Sequence, residues 1–194
     1  MHSRIRLALS IVLAVILGFT AATMARAQSP APALDDPTIV AIFDAANTAD
    51  IETAGLAARR GFHKDVRALG QTFVEAHKEV RQQGRDLAKK LGVTPTPPKD
   101  DAAARDHAAA MRKLRALSGA EFDRAFLAHE VAFHRSVIDA VTQTLLPAIQ
   151  NPELKTFVQN VAPAFQGHLA MAEQLARKYG AQASAGPEAA RTGR

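Results

Sequence analysis

The stretch VTPTPPK, residues 93–99, decides the fold. Three prolines in seven residues, just after Gly92, cannot be helical, because each lacks a backbone donor and pushes its predecessor into extended geometry. Long amphipathic segments lie on both sides of it. Upstream, Asp36 is expected to cap a first helix, with Pro37 at its first position, that ends at Arg60 before Gly61. A second runs from about Phe62 to Leu91 and stops at Gly92. Downstream comes a short amphipathic helix from Asp101 to about Leu117, after which Ser118 and Glu121 read as the capping box of a third long helix reaching about Gln150. Pro147 should loosen its last turn. Asn151 and Pro152 open a fourth, expected to kink at Pro163, run to Tyr179 and stop at Gly180. Long helices paired by tight turns, with a long connection between the pairs, describe an all-α, ferritin-like four-helix bundle whose crossover contains a short helix.

The organisation around that bundle is read from composition. Residues 1–27 follow a secretory signal, with Arg4 and Arg6 before the uncharged run LALSIVLAVILGF and Ala25-Arg26-Ala27 as the cleavage site. Residues 28–35 read as a flexible leader, 36–180 as the bundle domain and 181–194 as a disordered tail. These readings predict a periplasmic protein with no stable membrane insertion after cleavage. The chain has no cysteine, so no disulfide can staple it and its stability must come from the core. Loss of Arg4, Arg6 and Arg26 lowers 24 basic residues to 21 against 19 acidic ones, so the formal charge falls from +5 to +2. So small a surplus, unclustered, argues against nucleic acid as a partner.

The informative residues are those that interrupt the apolar stripes. In the second helix His77 lies on the stripe of Val66, Leu69, Phe73 and Val80. In the third, HEVAFH (129–134) puts Glu130 and His134 on one stripe with Leu127, Val137 and Val141, and His129 on the adjacent stripe of Phe122, Phe126 and Phe133. In the fourth, His168 breaks a seam of Leu154, Val158, Val161, Phe165, Met171 and Leu175. An α-helix rises about 1.5 Å per residue, and His77, His134 and His168 all lie about 15 to 17 residues from the turns that open their helices. Three histidines from three helices should therefore meet in one layer, with Glu130 beside His134. On the first helix either Asp50 or Glu52 could face in, both on this count roughly 6 to 9 Å below that layer. His63 and His107 are expected in solvent.

With these residues placed, ADIETAGLA (49–57), VRALGQTFVEAHKEV (66–80), SGAEFDRAFLAHEVAFHRSVID (118–139) and VAPAFQGHLAMAEQL (161–175) resemble the secreted bacterial family catalogued as domain of unknown function 4142. The resemblance spans about Pro37 to Tyr179 and implies a ferritin-like bundle with no established activity. Two positions depart from the family pattern: Ala76 stands before His77 where aspartate is usual, and Asp50 where glutamate is usual.

Two functions fit this pattern. One is a transition-metal site, for zinc, copper, iron or manganese, built from His77, Glu130, His134 and His168 with Asp50 or Glu52. The other is a non-catalytic structural or partner-binding bundle of the cell envelope, its histidines hydrogen-bonded in the core. None of the eight glutamates has a histidine three residues on, so the usual di-iron carboxylate arrangement is disfavoured. No serine or cysteine nucleophile accompanies the histidines, which argues against a hydrolase.

Overall fold

The computed structural model describes residues 34–184. The expected signal, most of the expected leader and the last ten residues lie outside this range. Helix α1 (Asp36–Arg60) and α2 (Lys64–Leu91) form the first antiparallel pair, and α3 (Ala102–Ala116) lies in the crossover. Helix α4 (Gly119–Ala140) continues through a π-turn (Val141–Leu145) into a single turn, α5 (Leu146–Ala148), before α6 (Pro152–Ser184) returns antiparallel to it. No described helix is long and apolar enough to cross a membrane.

Each boundary has a local cause. The α1 cap is Asp35, one residue earlier than expected, and its carboxylate accepts from Thr38 N at 2.9 Å. Asp36 instead accepts from Gln150 N and Asn151 N, so it ties the start of α1 to the turn before α6. Gly92, at φ 66°, closes α2 with paired bonds from Gly92 N to Lys89 O and from Val93 N to Ala88 O, which is the Schellman arrangement. Asn151 Oδ1 accepts from Glu153 N and Leu154 N at the start of α6. The Ser118 capping box does not form: Ser118 makes no side-chain cap, and Gly119 enters the helix at φ 58°, a path outside the geometry such a box needs. Nor does Gly180 stop the last helix, which runs through Pro163 and on to Ser184.

The helices surround two apolar clusters with the polar layer between them. Phe73, Phe122, Phe126 and Leu127 belong to the cluster near the α1–α2 turn. Ile39, Phe43, Val141, Leu154 and Phe165 belong to the other. Met171, expected in the seam of α6, is 36% exposed, and Ala172 takes the buried place. Helices α1 and α2 approach closely because residue 70 is glycine: a Cβ there would stand 2.6 Å from Ala54 O and from Ala58 N. That closeness brings the polar residues of α1 against His77.

Candidate metal centre

The layer is assembled by four helices. Asn47 and Asp50 come from α1, His77 from α2, Glu130 and His134 from α4, and His168 from α6, all buried. Ring centroids are 5.7 Å apart for His77–His134, 4.9 Å for His77–His168 and 5.4 Å for His134–His168. One potential ligand atom from each histidine lies within 4.8 Å of the other two, and the same holds for Asp50, Glu130 and His134. His134 thus belongs to both sets.

Asp50 belongs to the layer. Its Oδ2 stands 3.3 Å from His77 Nε2 and 3.5 Å from His134 Nε2. The sequence count placed it too low partly because α2 begins at Lys64, two residues later than expected, which removes about 3 Å of the apparent offset. Glu52 is a correction as a core ligand. It is exposed on the outside of α1, where its Oε2 pairs with His107 Nε2 at 2.8 Å. Two residues along a helix turn about 200°, so Asp50 and Glu52 cannot both face the core. His129 is half-buried and stacks on Phe133 at 5.8 Å, beside the layer but outside it.

A hydrogen-bond chain fixes the imidazoles. Asn47 Nδ2 donates to Phe43 O at 2.8 Å, so Asn47 Oδ1 is free to accept, and His77 Nδ1 donates to it at 2.9 Å. His77 Nε2 is therefore the lone-pair nitrogen, and His168 Nδ1 donates to it at 3.1 Å. His134 Nδ1 donates to Glu130 O at 3.0 Å, which leaves its Nε2 as a lone pair aimed into the layer. Phe73 stacks on His168 at 4.5 Å, and Phe165 lies parallel to His77 at 6.1 Å. These aromatic rings pack against the imidazoles and help to fix their planes.

Five buried atoms in this layer have no hydrogen-bond partner: both Asp50 oxygens, both Glu130 oxygens and His134 Nε2. Burial disfavours the charged form of every group here. His77 is pushed down to about 3, first by burial and then by the neighbouring His168 and His134. His134 falls to about 4, again mainly by burial. Burial lowers His168 as well. The carboxyls move the other way: burial raises Asp50, and burial plus the Asp50 charge raises Glu130 well above the carboxylate range. His134 Nε2 offers a free lone pair, His77 and His168 would each offer one if the hydrogen bond between them opened, and with two carboxyls able to release protons these groups can surround a cation.

Sequence reasoning missed Asn47, whose amide looks like an ordinary break in the α1 stripe until His77 stands opposite. It also missed His63, expected in solvent. That residue caps α2, donates from Nδ1 to the buried Asp123 at 2.8 Å and stacks on Tyr179 at 4.0 Å. Asp123 also accepts from Phe62 N at 2.9 Å and His63 N at 2.8 Å, closing the α1–α2 turn against α4.

The family model described as Domain of unknown function (DUF4142) matches residues 21–175, and the chain belongs to that family. No curated protein matches the sequence. Among solved structures the chain is similar to a DUF305 fragment from Deinococcus radiodurans, at 18% identity over 73% of this chain and 95% of that one, with a TM-score of 0.65. It is also similar to CopM in the Cu(II)-bound form, at 14% identity over 75% of this chain and 98% of that one, with a TM-score of 0.57. At these identities the likeness establishes the all-α bundle fold alone.

Proposed function

We propose that this DUF4142 protein is an exported helical bundle that binds a divalent transition-metal ion in its core. His77, His134 and His168 would supply nitrogen ligands, and Asp50 and Glu130 would supply oxygen. One observation carries this reading: five unpartnered buried polar atoms converge in a layer with three imidazoles, and the Nδ1 protons of His77 and His134 are directed away from it. A hydrogen-bonded core leaves few such atoms, since each costs about 1 to 3 kcal/mol. An ion bound there would satisfy them, and its charge would turn both carboxyls into carboxylates.

Asn47 acts as the orienting partner behind His77, and the Glu130 backbone carbonyl does so behind His134. A mixed imidazole and carboxylate set favours copper(II) and zinc over iron(II) and manganese(II) in affinity. The layer holds no thiolate or thioether that would suit copper(I). That a bundle of similar fold has been solved in a Cu(II)-bound form supports copper as the first ion to test.

Export rests on the pattern of residues 1–27. The test is elemental analysis of untagged protein isolated from its native compartment, with mass spectrometry of the same sample. A stoichiometric metal and a mass beginning at Gln28 are expected. A sample free of metal, whose melting temperature none of copper, zinc, iron or manganese raises, would leave the envelope scaffold as the better reading. A mass that includes residues 1–27 would remove the signal.

A further inference from the structure

A cavity of about 60 Å³ adjoins the histidine layer on the side away from the α1–α2 turn. His77 and His134 line it, together with Val137, Val141, Leu145 and Phe165. Its shape depends on the π-turn. Leu146 N reaches back five residues to Val141 O, and the widened turn carries both Val141 and Leu145 inward, where each is buried. Pro147, without an N–H, cannot restore the regular ladder there. Thr142 Oγ1 bonds the Ile138 carbonyl at 2.8 Å, which helps satisfy the disturbed backbone. Single π-turns inside α-helices frequently mark functional sites.

The walls are almost entirely carbon. Of the polar residues on them, Asn47 is occupied by Phe43 O and His77, and His134 Nδ1 by Glu130 O, which leaves His134 Nε2 as the one unpartnered polar atom of the described lining, aimed into the layer. A water molecule needs two to four polar partners to stay in such a space, so the cavity disfavours water. An apolar cavity of about 150 Å³ takes benzene or xenon. At well under half that volume this one admits a diatomic molecule or a single xenon atom. Its mouth is the seam between α1 and α4, where Ile42, Ala46, Phe133 and Val137 are half-buried.

We propose that this cavity is a binding site for a small uncharged diatomic gas of the dioxygen class, seated against the His77 and His134 imidazoles. Its position next to a metal ion rests on the metal reading above. Its occupancy does not. The mouth and walls carry no charge that would attract an ionic ligand, and the volume excludes a larger organic one.

Crystals of the metal-free full chain pressurised with xenon test the site itself. One xenon atom within about 4 Å of Val137, Leu145 and Phe165 is expected. An empty cavity under xenon would overturn the proposal. Val137→Phe should fill the space, remove the xenon and leave the metal-induced rise in melting temperature intact. Xenon bound equally by that variant would also overturn it. Iron(II)-loaded protein with nitric oxide then tests the placement: the iron-nitrosyl signal should appear in the wild type and fall at least tenfold in Val137→Phe, and an equal signal in both would refute it. Should the protein take up no ion, the metal reading fails alone and the xenon result still decides the cavity.

Discussion

Replacing Glu130 by methionine should make the metal-free protein more stable and weaken the proposed metal site. Glu130 is completely buried, and neither carboxyl oxygen has a hydrogen-bond partner. Burial and the Asp50 charge keep it protonated, so the substitution removes no ion pair that stabilises the apo fold. Each unpartnered buried polar group costs about 1 to 3 kcal/mol, and a volume-conserving exchange in a core costs less than about 1.5 kcal/mol. The expected net gain is about 1 to 2 kcal/mol. For a domain of this size about 1 kcal/mol moves the melting temperature by roughly 2 to 4 °C, so a rise of about 2 to 8 °C is expected. Calorimetry of chelator-treated wild type and Glu130→Met measures it, and titration of both with copper(II) and zinc measures the weakened binding. A fall in melting temperature of several degrees in the metal-free variant would show that Glu130 already has partners in the apo protein. Glu130 would then be a satisfied core residue rather than an unpartnered ligand.

Three further outcomes follow from the same geometry. Asn47→Ala frees the ring of His77 and should weaken metal binding about 10- to 100-fold by titration calorimetry, with helix content unchanged by circular dichroism. Because burial raises the carboxyls and lowers the histidines, binding near pH 7 should release about one to two protons per ion, all from Asp50 and Glu130. Affinity should therefore rise with pH, and a proton count of zero in buffers of different ionisation enthalpy would contradict the carboxyl assignment. Asp123→Ala leaves Phe62 N, His63 N and His63 Nδ1 without their acceptor and should cost about 2 to 4 kcal/mol in denaturant unfolding, while metal affinity in the folded protein stays the same.

Much of this architecture is legible in the sequence, and the exceptions share a cause. The crossover and the three inward histidines follow from local quantities: proline positions, stripe membership and a constant rise per residue. Asp50 is ambiguous from sequence, because two acids two residues apart fit two different stripes and only the α2 surface chooses between them. Asn47 and Asp123 owe their roles to partners 30 and about 60 residues away, His77 and the α1–α2 turn, so no local signal identifies them. Local rules also lose to tertiary context at three ends. Asp36 abandons its own cap to hold the α5–α6 turn, Ser118 makes no capping box beside Gly119, and α6 continues through Gly180. The pH reading changes for a similar reason. Counted as free side chains, the histidines would control metal affinity near pH 6.5, but burial lowers all three, His77 and His134 to about 3 and 4, and would give the control to the carboxyls.

Anomalous diffraction from crystals grown with one equivalent of copper(II) or zinc tests the metal centre most directly, because it locates the ion without reference to activity. Metal binding in the core predicts one anomalous peak about 2.0 to 2.2 Å from nitrogens of His77, His134 and His168, with an oxygen of Asp50 or Glu130 at a similar distance. Anomalous density only on the surface, at Glu52 and His107 for example, with the buried layer empty and its rings unmoved, would contradict it.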